Sequence, residues 1–199
     1  MKTTLIVAAL AAMPLAIHAQ VTTTAAVLPA AKQIVAAALP LPAEFRDAAT
    51  VLGYRTGASA LVTLRAGSGP FTCLASNPAL PQFHVACYHQ AMEPFMARGR
   101  ALRAKGTKGD EVDSVRFREV RAGKLKMPNH PAALYSITGP AGSFDAEHET
   151  VKGTRSLYVV YIPGATSATT GMSAKPAPGT PWIMYPGTPK AHIMFVPTM

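Results

Sequence analysis

Two histidines and a cysteine with transition-metal chemistry lie close together in the chain: His84, Cys87 and His89. Imidazole and thiolate are favoured ligands for such metals, and the methionines at 92, 96, 172, 184 and 194 suit copper(I). A structural metal site needs about four ligands at defined spacing, so this reading requires the fold to bring His192 beside His84 and His89. Cys87 has a competing use, because Cys73 is its only possible partner for a disulfide. His192 sits in a β-like run after Gly187-Thr188-Pro189, where a histidine serves as a ligand, as a general acid or base, or as a buried hydrogen-bonded residue. In a hydrolase-like enzyme, Asp145 or Glu147 would be its carboxylate partner. Those two belong to an acidic knot with His148 and Glu149, flanked by Gly142 and Gly153, that lacks the spacing of a calcium loop and reads as a solvated loop. No Ser stands in a G-x-S-x-G elbow or three residues ahead of a Lys, and Gly57-Ala58-Ser59-Ala60 lacks the second glycine. Gly67-Ser68-Gly69 is too short to cradle a phosphate and leads into a strand. No cofactor signature emerges.

Compartment constrains these options. Lys2, the apolar run over residues 5–13 and the small residues Ala12, Ala16 and Ala19 form the pattern of a secretory signal peptide over residues 1–19. That run is too short to cross a bilayer, which takes about 20 apolar residues, and Pro or charge interrupts every later one. The expected address is the periplasm or the extracellular medium. In that oxidising setting Cys73 and Cys87 read as a staple across an irregular, Pro-containing segment. Losing residues 1–19 removes one cation, Lys2, and leaves a net charge of +8 in place of +9. The cations concentrate over residues 98–126, including Arg98, Arg100, Arg103, Arg116, Arg118 and Arg121. A patch of this kind steers a protein to an anionic envelope component. Nucleic acid is a poor expectation, since Phe117 is the only aromatic residue in the stretch.

Around these residues the pattern predicts one domain. Residues 20–48 are Ala- and Pro-rich, with a helix over Ala30–Ala38 stopped by Pro40 and Pro42 and one more turn before Thr50. Branched apolar runs at 50–52, 60–64 and 71–73, punctuated by glycines, predict a hairpin or meander. Tyr88, Met92, Phe95, Gly99 and Leu102 recur at helical spacing. A second, surface-lying helix starts near Asp110, with acids in its first turn and arginines in its last. Strands are expected at 133–138, 157–162, 182–185 and 192–196. The fold class is α+β: residues 49–199 form an antiparallel sheet with two or three helices.

Several of these segments carry a resemblance. Ala49-Thr50-Val51, Leu64-Arg65-Ala66-Gly67, Phe71-Thr72-Cys73 with Cys87, Pro181-Trp182-Ile183-Met184 and Gly187-Thr188-Pro189 with Ala191-His192-Ile193-Met194 together resemble a group of uncharacterised secreted bacterial proteins. That group shares a Cys pair and a Gly-Thr-Pro-x-Ala-His-Ile-Met ending. Lys190 and Phe195 depart from its pattern, and the basic middle does not follow it. The resemblance implies fold continuity and the disulfide, and brings no mechanism. The expected function is binding at an envelope or extracellular surface. The enzyme using His192 and the metal carrier using His84, His89 and His192 are the contrasting expectations.

Overall fold

In a computed structural model, residues 26–177 and 179–197 are described; the expected signal peptide at 1–19 lies outside them. Helix α1 (Ala30–Ala38) and the turn α2 (Ala43–Arg46) precede strands β1 (Thr50–Gly53), β2 (Val62–Arg65), β3 (Phe71–Leu74) and β4 (Gln82–His89). A 3-10 turn leads into α3 (Glu93–Ala104) and α4 (Glu111–Arg121). Then come β5 (Ala132–Pro140), the small hairpin β6 (Phe144–Asp145) and β7 (Thr150–Val151), β8 (Arg155–Tyr161), the turn α5 (Ser167–Thr170), β9 (Trp182–Met184) and β10 (His192–Phe195). Eight strands form one sheet in the order β2-β1-β3-β4-β5-β8-β10-β9, so the α+β class holds. No described helix is long and apolar enough to cross a membrane.

The sheet is mixed where a simple meander was expected: β1 pairs antiparallel with β2 but parallel with β3. The crossing at residues 66–70 makes this possible. Gly67 and Gly69 donate to Thr50 Oγ1 at 3.1 Å and to Ala48 O at 2.7 Å as the chain passes the start of β1. A Cβ on Gly67 would lie 2.2 Å from Ala48 O, so only glycine fits there. The second difference is β4, whose first half falls in the segment read as irregular; its polar Gln82 and His84 are exposed while Phe83 and Val85 are buried. Tyr88 therefore lies in a strand, although all five residues of the predicted helical stripe are buried as expected.

Strand alternation divides the sheet into two faces with separate cores. On one, Val51, Phe71, Cys73, Val85 and Cys87 meet Ala36 and Ala37 of α1, whose small side chains let it lie close. Gln33 is the buried polar residue of this helix, and its amide clamps it to the sheet, donating to Leu28 O and Tyr54 O and accepting from Tyr54 N. On the other face, Tyr88, Val159 and Tyr161 pack with Phe95 of α3 and Phe117 and Val120 of α4. The second helix is thus more deeply docked than its ragged stripe predicts, with Val112 buried. Segment 20–48 and the sheet share a core wherever they are described.

Cys73 and Cys87 are direct cross-strand partners and form the disulfide, with Cys87 Sγ 3.0 Å from Ala37 O under α1. Replacing both by Ala should lower unfolding stability by about 3 kcal/mol, the chain-entropy value for a loop of this size; a urea midpoint unchanged from the parent would refute that role.

Candidate functional site

His192 opens β10 opposite Tyr161 of β8 and Met184 of β9. The loop before it is tied down: Thr188 Oγ1 donates to Tyr185 O at 2.7 Å and accepts from Lys190 N at 3.2 Å. Gly187 N and Gly164 N bond Ala165 O and Thr188 O, joining this loop to the one after β8. His192 is 6 % exposed, with the rings of Tyr161 and Tyr185 centred 5.0 and 5.8 Å away. Its Nδ1 lies 2.7 Å from Lys190 O. A carbonyl only accepts, so Nδ1 carries the proton and Nε2 the lone pair. Burial holds the imidazole pKa below its ordinary value, and burial raises the Tyr161 phenol to about 12.

The ion pairs beside it come from α4. Asp113 accepts from Lys190 Nζ at 2.8 Å and from the guanidinium of Arg116. Burial opposes ionisation of this carboxyl, but the two hydrogen bonds outweigh it and hold its pKa below the usual range. Arg116 is buried; its guanidinium lies 3.8 Å over the Phe95 ring and donates to Phe95 O at 3.1 Å. Its Nε has no hydrogen-bond partner among the described residues. Gly99 admits it, since a Cβ there would come 2.9 Å from Arg116 Nη1. Lys190 also lies 4.4 Å over the Tyr185 ring. This constellation locks α4 to the C-terminal strand and packs His192 beneath aromatic rings, an arrangement suited to structure more than to acid-base chemistry on a substrate. Asp113 and Lys190 were not singled out by sequence; only the i,i+3 spacing of Asp113 and Arg116 hinted at their part.

The other predicted sites separate. His84 and His89 point to opposite faces of β4, their positions differing by an odd number. His192 shares the face of His84 but lies about 20 Å along the strands from it: His84 pairs with Thr138, whereas Ala132 occupies the row of His192. Cys87 is consumed by the disulfide, and no group of three or more His, Cys, Asp or Glu among the described residues could hold a metal ion. The metal expectation is corrected accordingly. Asp145 serves its own turn, accepting from Glu147 N and His148 N and pairing with His148 Nδ1 at 2.9 Å. Its hairpin lies at the other end of the sheet from His192, with Phe144 stacked on Phe83. Glu149 pairs with Lys32 of α1 at 2.8 Å.

Three of the six arginines are neutralised. Arg98 makes a two-pronged pair with Glu119, and Arg100 binds Glu93 and the Tyr88 hydroxyl; Arg116 is internal. Arg103, Arg118 and Arg121 remain exposed and outside the ion pairs of the described residues.

The feature that sequence reading missed is the uncovered half of the α1 face. Cys73, Cys87, Tyr135, Tyr158 and Phe195 fall in one register row across β3, β4, β5, β8 and β10. Helix α1 covers the first two. Tyr158 and Phe195 are 39 % and 37 % exposed, and with Tyr135, Val160, Thr180 and Pro181 they line a groove of about 460 Å³ with no charged residue in its lining among the described residues. Ring contacts continue from Tyr158 through Tyr135 and Phe71 to His89 and His130. No signal along the chain marks this row, because its members come from five strands. No protein-family model, curated protein or solved structure matches the chain.

Two outcomes follow from the buried cluster. Asp113→Ala leaves Arg116 and Lys190 without their carboxylate and should cost about 3 kcal/mol in chemical denaturation; a loss under 1 kcal/mol would mean the pairs contribute little. Because the folded pKa of His192 lies below its unfolded value near 6.5, its contribution is complete above pH 6.5 and is lost as pH falls below it. The pKa of His89 is lowered in the same way, so His192→Asn should flatten, without abolishing, the decline in urea midpoint between pH 7 and 5; an unchanged slope would contradict this.

Proposed function

We propose that the protein is an exported binding domain that holds an uncharged glycan against the open half of its sheet. The observation that carries this reading is the row Tyr135, Tyr158 and Phe195 on three adjacent strands, with Tyr135 half-buried and Tyr158 and Phe195 exposed beside a groove that no charged residue lines among the described residues. Exposed aromatic surface of this kind is retained where something binds. A pyranose ring offers an apolar face of C–H groups that lies flat on an aromatic side chain, while its hydroxyls bond at the rim. Tyrosine suits both demands, being apolar over the ring and polar at its tip; Thr180, His89 and His130 supply further polar groups near the row. An anionic polymer finds no cation in the groove among the described residues. The cations lie on the helix-covered side, where Arg103, Arg118 and Arg121 face water. They favour contact with an anionic envelope component there, which leaves the aromatic row turned outward. A buried, hydrogen-bonded His192 away from this groove supports binding over hydrolysis.

Titration with cello- and chito-oligosaccharides, followed by calorimetry and by the aromatic NMR signals of the protein, tests the reading. Binding should perturb Tyr158 and Phe195 and persist at high salt. Tyr158→Ala and Phe195→Ala should each weaken it about tenfold with circular dichroism unchanged. No binding across both series, or binding undiminished in the double variant, would overturn it.

A further inference from the structure

We infer that a second site, at the opposite end of the sheet from His192, takes a small uncharged apolar molecule of single-ring size. It lies where the chain before α1, the loop between β3 and β4 and the turn between β5 and β6 converge, and encloses about 210 Å³. Ala36, Ala75, Phe83 and Phe144 supply apolar wall, the two rings parallel within 7° and 6.1 Å apart. Leu28 and Leu80 stand at the mouth, 37 % and 50 % exposed. A guest would cover both, and burial of such side chains is favourable.

The chemistry of the guest follows from what the wall withholds. No charged residue lines it among the described residues. The Gln33 amide is spent on Leu28 O, Tyr54 O and Tyr54 N. Ser76 Oγ accepts from His84 N and Asn77 Oδ1 from Ala79 N, while the Ser76 hydroxyl proton, the Asn77 NH2 and the exposed Gln82 amide add uncharged polar groups that can serve a substituent on the ring. A ligand that needed an ion pair would lose its hydration without compensation. The volume sets the size: a cavity of about 150 Å³ lined by Leu, Ile and Phe holds benzene, so this one has room for a ring with a short substituent. The site shares no lining residue with the aromatic groove, and stands or falls independently of the glycan reading.

The full chain is titrated with toluene while its melting temperature and methyl NMR signals are recorded. At a hundredfold excess over Kd the melting temperature should rise by about 5–10 °C, and the methyl signals of Leu28 and Leu80 should shift. Ala141→Phe, placed at the exposed rim, should abolish both effects and leave the fold intact, whereas Tyr158→Ala should leave both in place. Unmoved Leu28 and Leu80 signals, wild-type binding by Ala141→Phe, or loss of binding in Tyr158→Ala would overturn the assignment. So would nuclear Overhauser contacts, in the absence of toluene, between Leu80 and residues preceding Ala26, since the chain itself would then fill the site.

Discussion

An eight-stranded sheet has two broad faces to bury, and the described residues supply three substantial helices of 9, 12 and 11 residues to do it. That mismatch governs the rest of the structure. Two helices are committed to one face, where α3 and α4 pack over Tyr88, Val159 and Tyr161. Among the described residues the other face has α1 alone, and nine residues at 1.5 Å each reach about 14 Å. At close to 5 Å between strands, a helix of that length cannot shield every strand from β1 to β9. Its alanines settle over β1, β3 and β4 and leave β8 and β10 uncovered.

Each polar device has its place in this arrangement. The disulfide joins the strands directly beneath α1, fixing the covered half. The Arg116-Asp113-Lys190 chain anchors α4 to the loop that leads into β10. Such buried pairs stabilise little against an apolar alternative yet are costly to break singly, so they enforce register more than they add stability. His192 belongs to the same lock, its Nδ1 proton held by Lys190 O and its ring between tyrosines. Among the described residues the exposed end of the aromatic row lies outside these locks, and that is where the proposed glycan would dock.

Much of the fold was legible in the sequence because its signals are local. Ala30–Ala38 is a helix bounded by prolines, the acids and arginines of α4 follow the helix dipole, and the strands at 133–138, 157–162, 182–185 and 192–196 alternate as strands do. The disulfide followed from an even Cys count together with the expected oxidising compartment. The parallel β1–β3 pair was hidden because it depends on a tight crossing at Gly67, and the first half of β4 because Pro78 and Pro81 sit beside it. The site was least legible. Cations read as one patch divide into Arg98, Arg100 and Arg116, held by carboxylates, and Arg103, Arg118 and Arg121, which face water. Tyr135, Tyr158 and Phe195 meet only through strand pairing across a span of 60 positions, a relation that periodicity along one segment does not contain.

The central claim is that the open half of this face stays bare in the free protein, which residue-resolved hydroxyl-radical footprinting measures directly. Tyr158, Phe195 and Val196 should oxidise readily, while Phe71, Phe95 and Tyr88 stay protected. Protection of Tyr158 and Phe195 at the level of Phe71 would mean that another part of the chain or a second copy covers them, and would contradict the account.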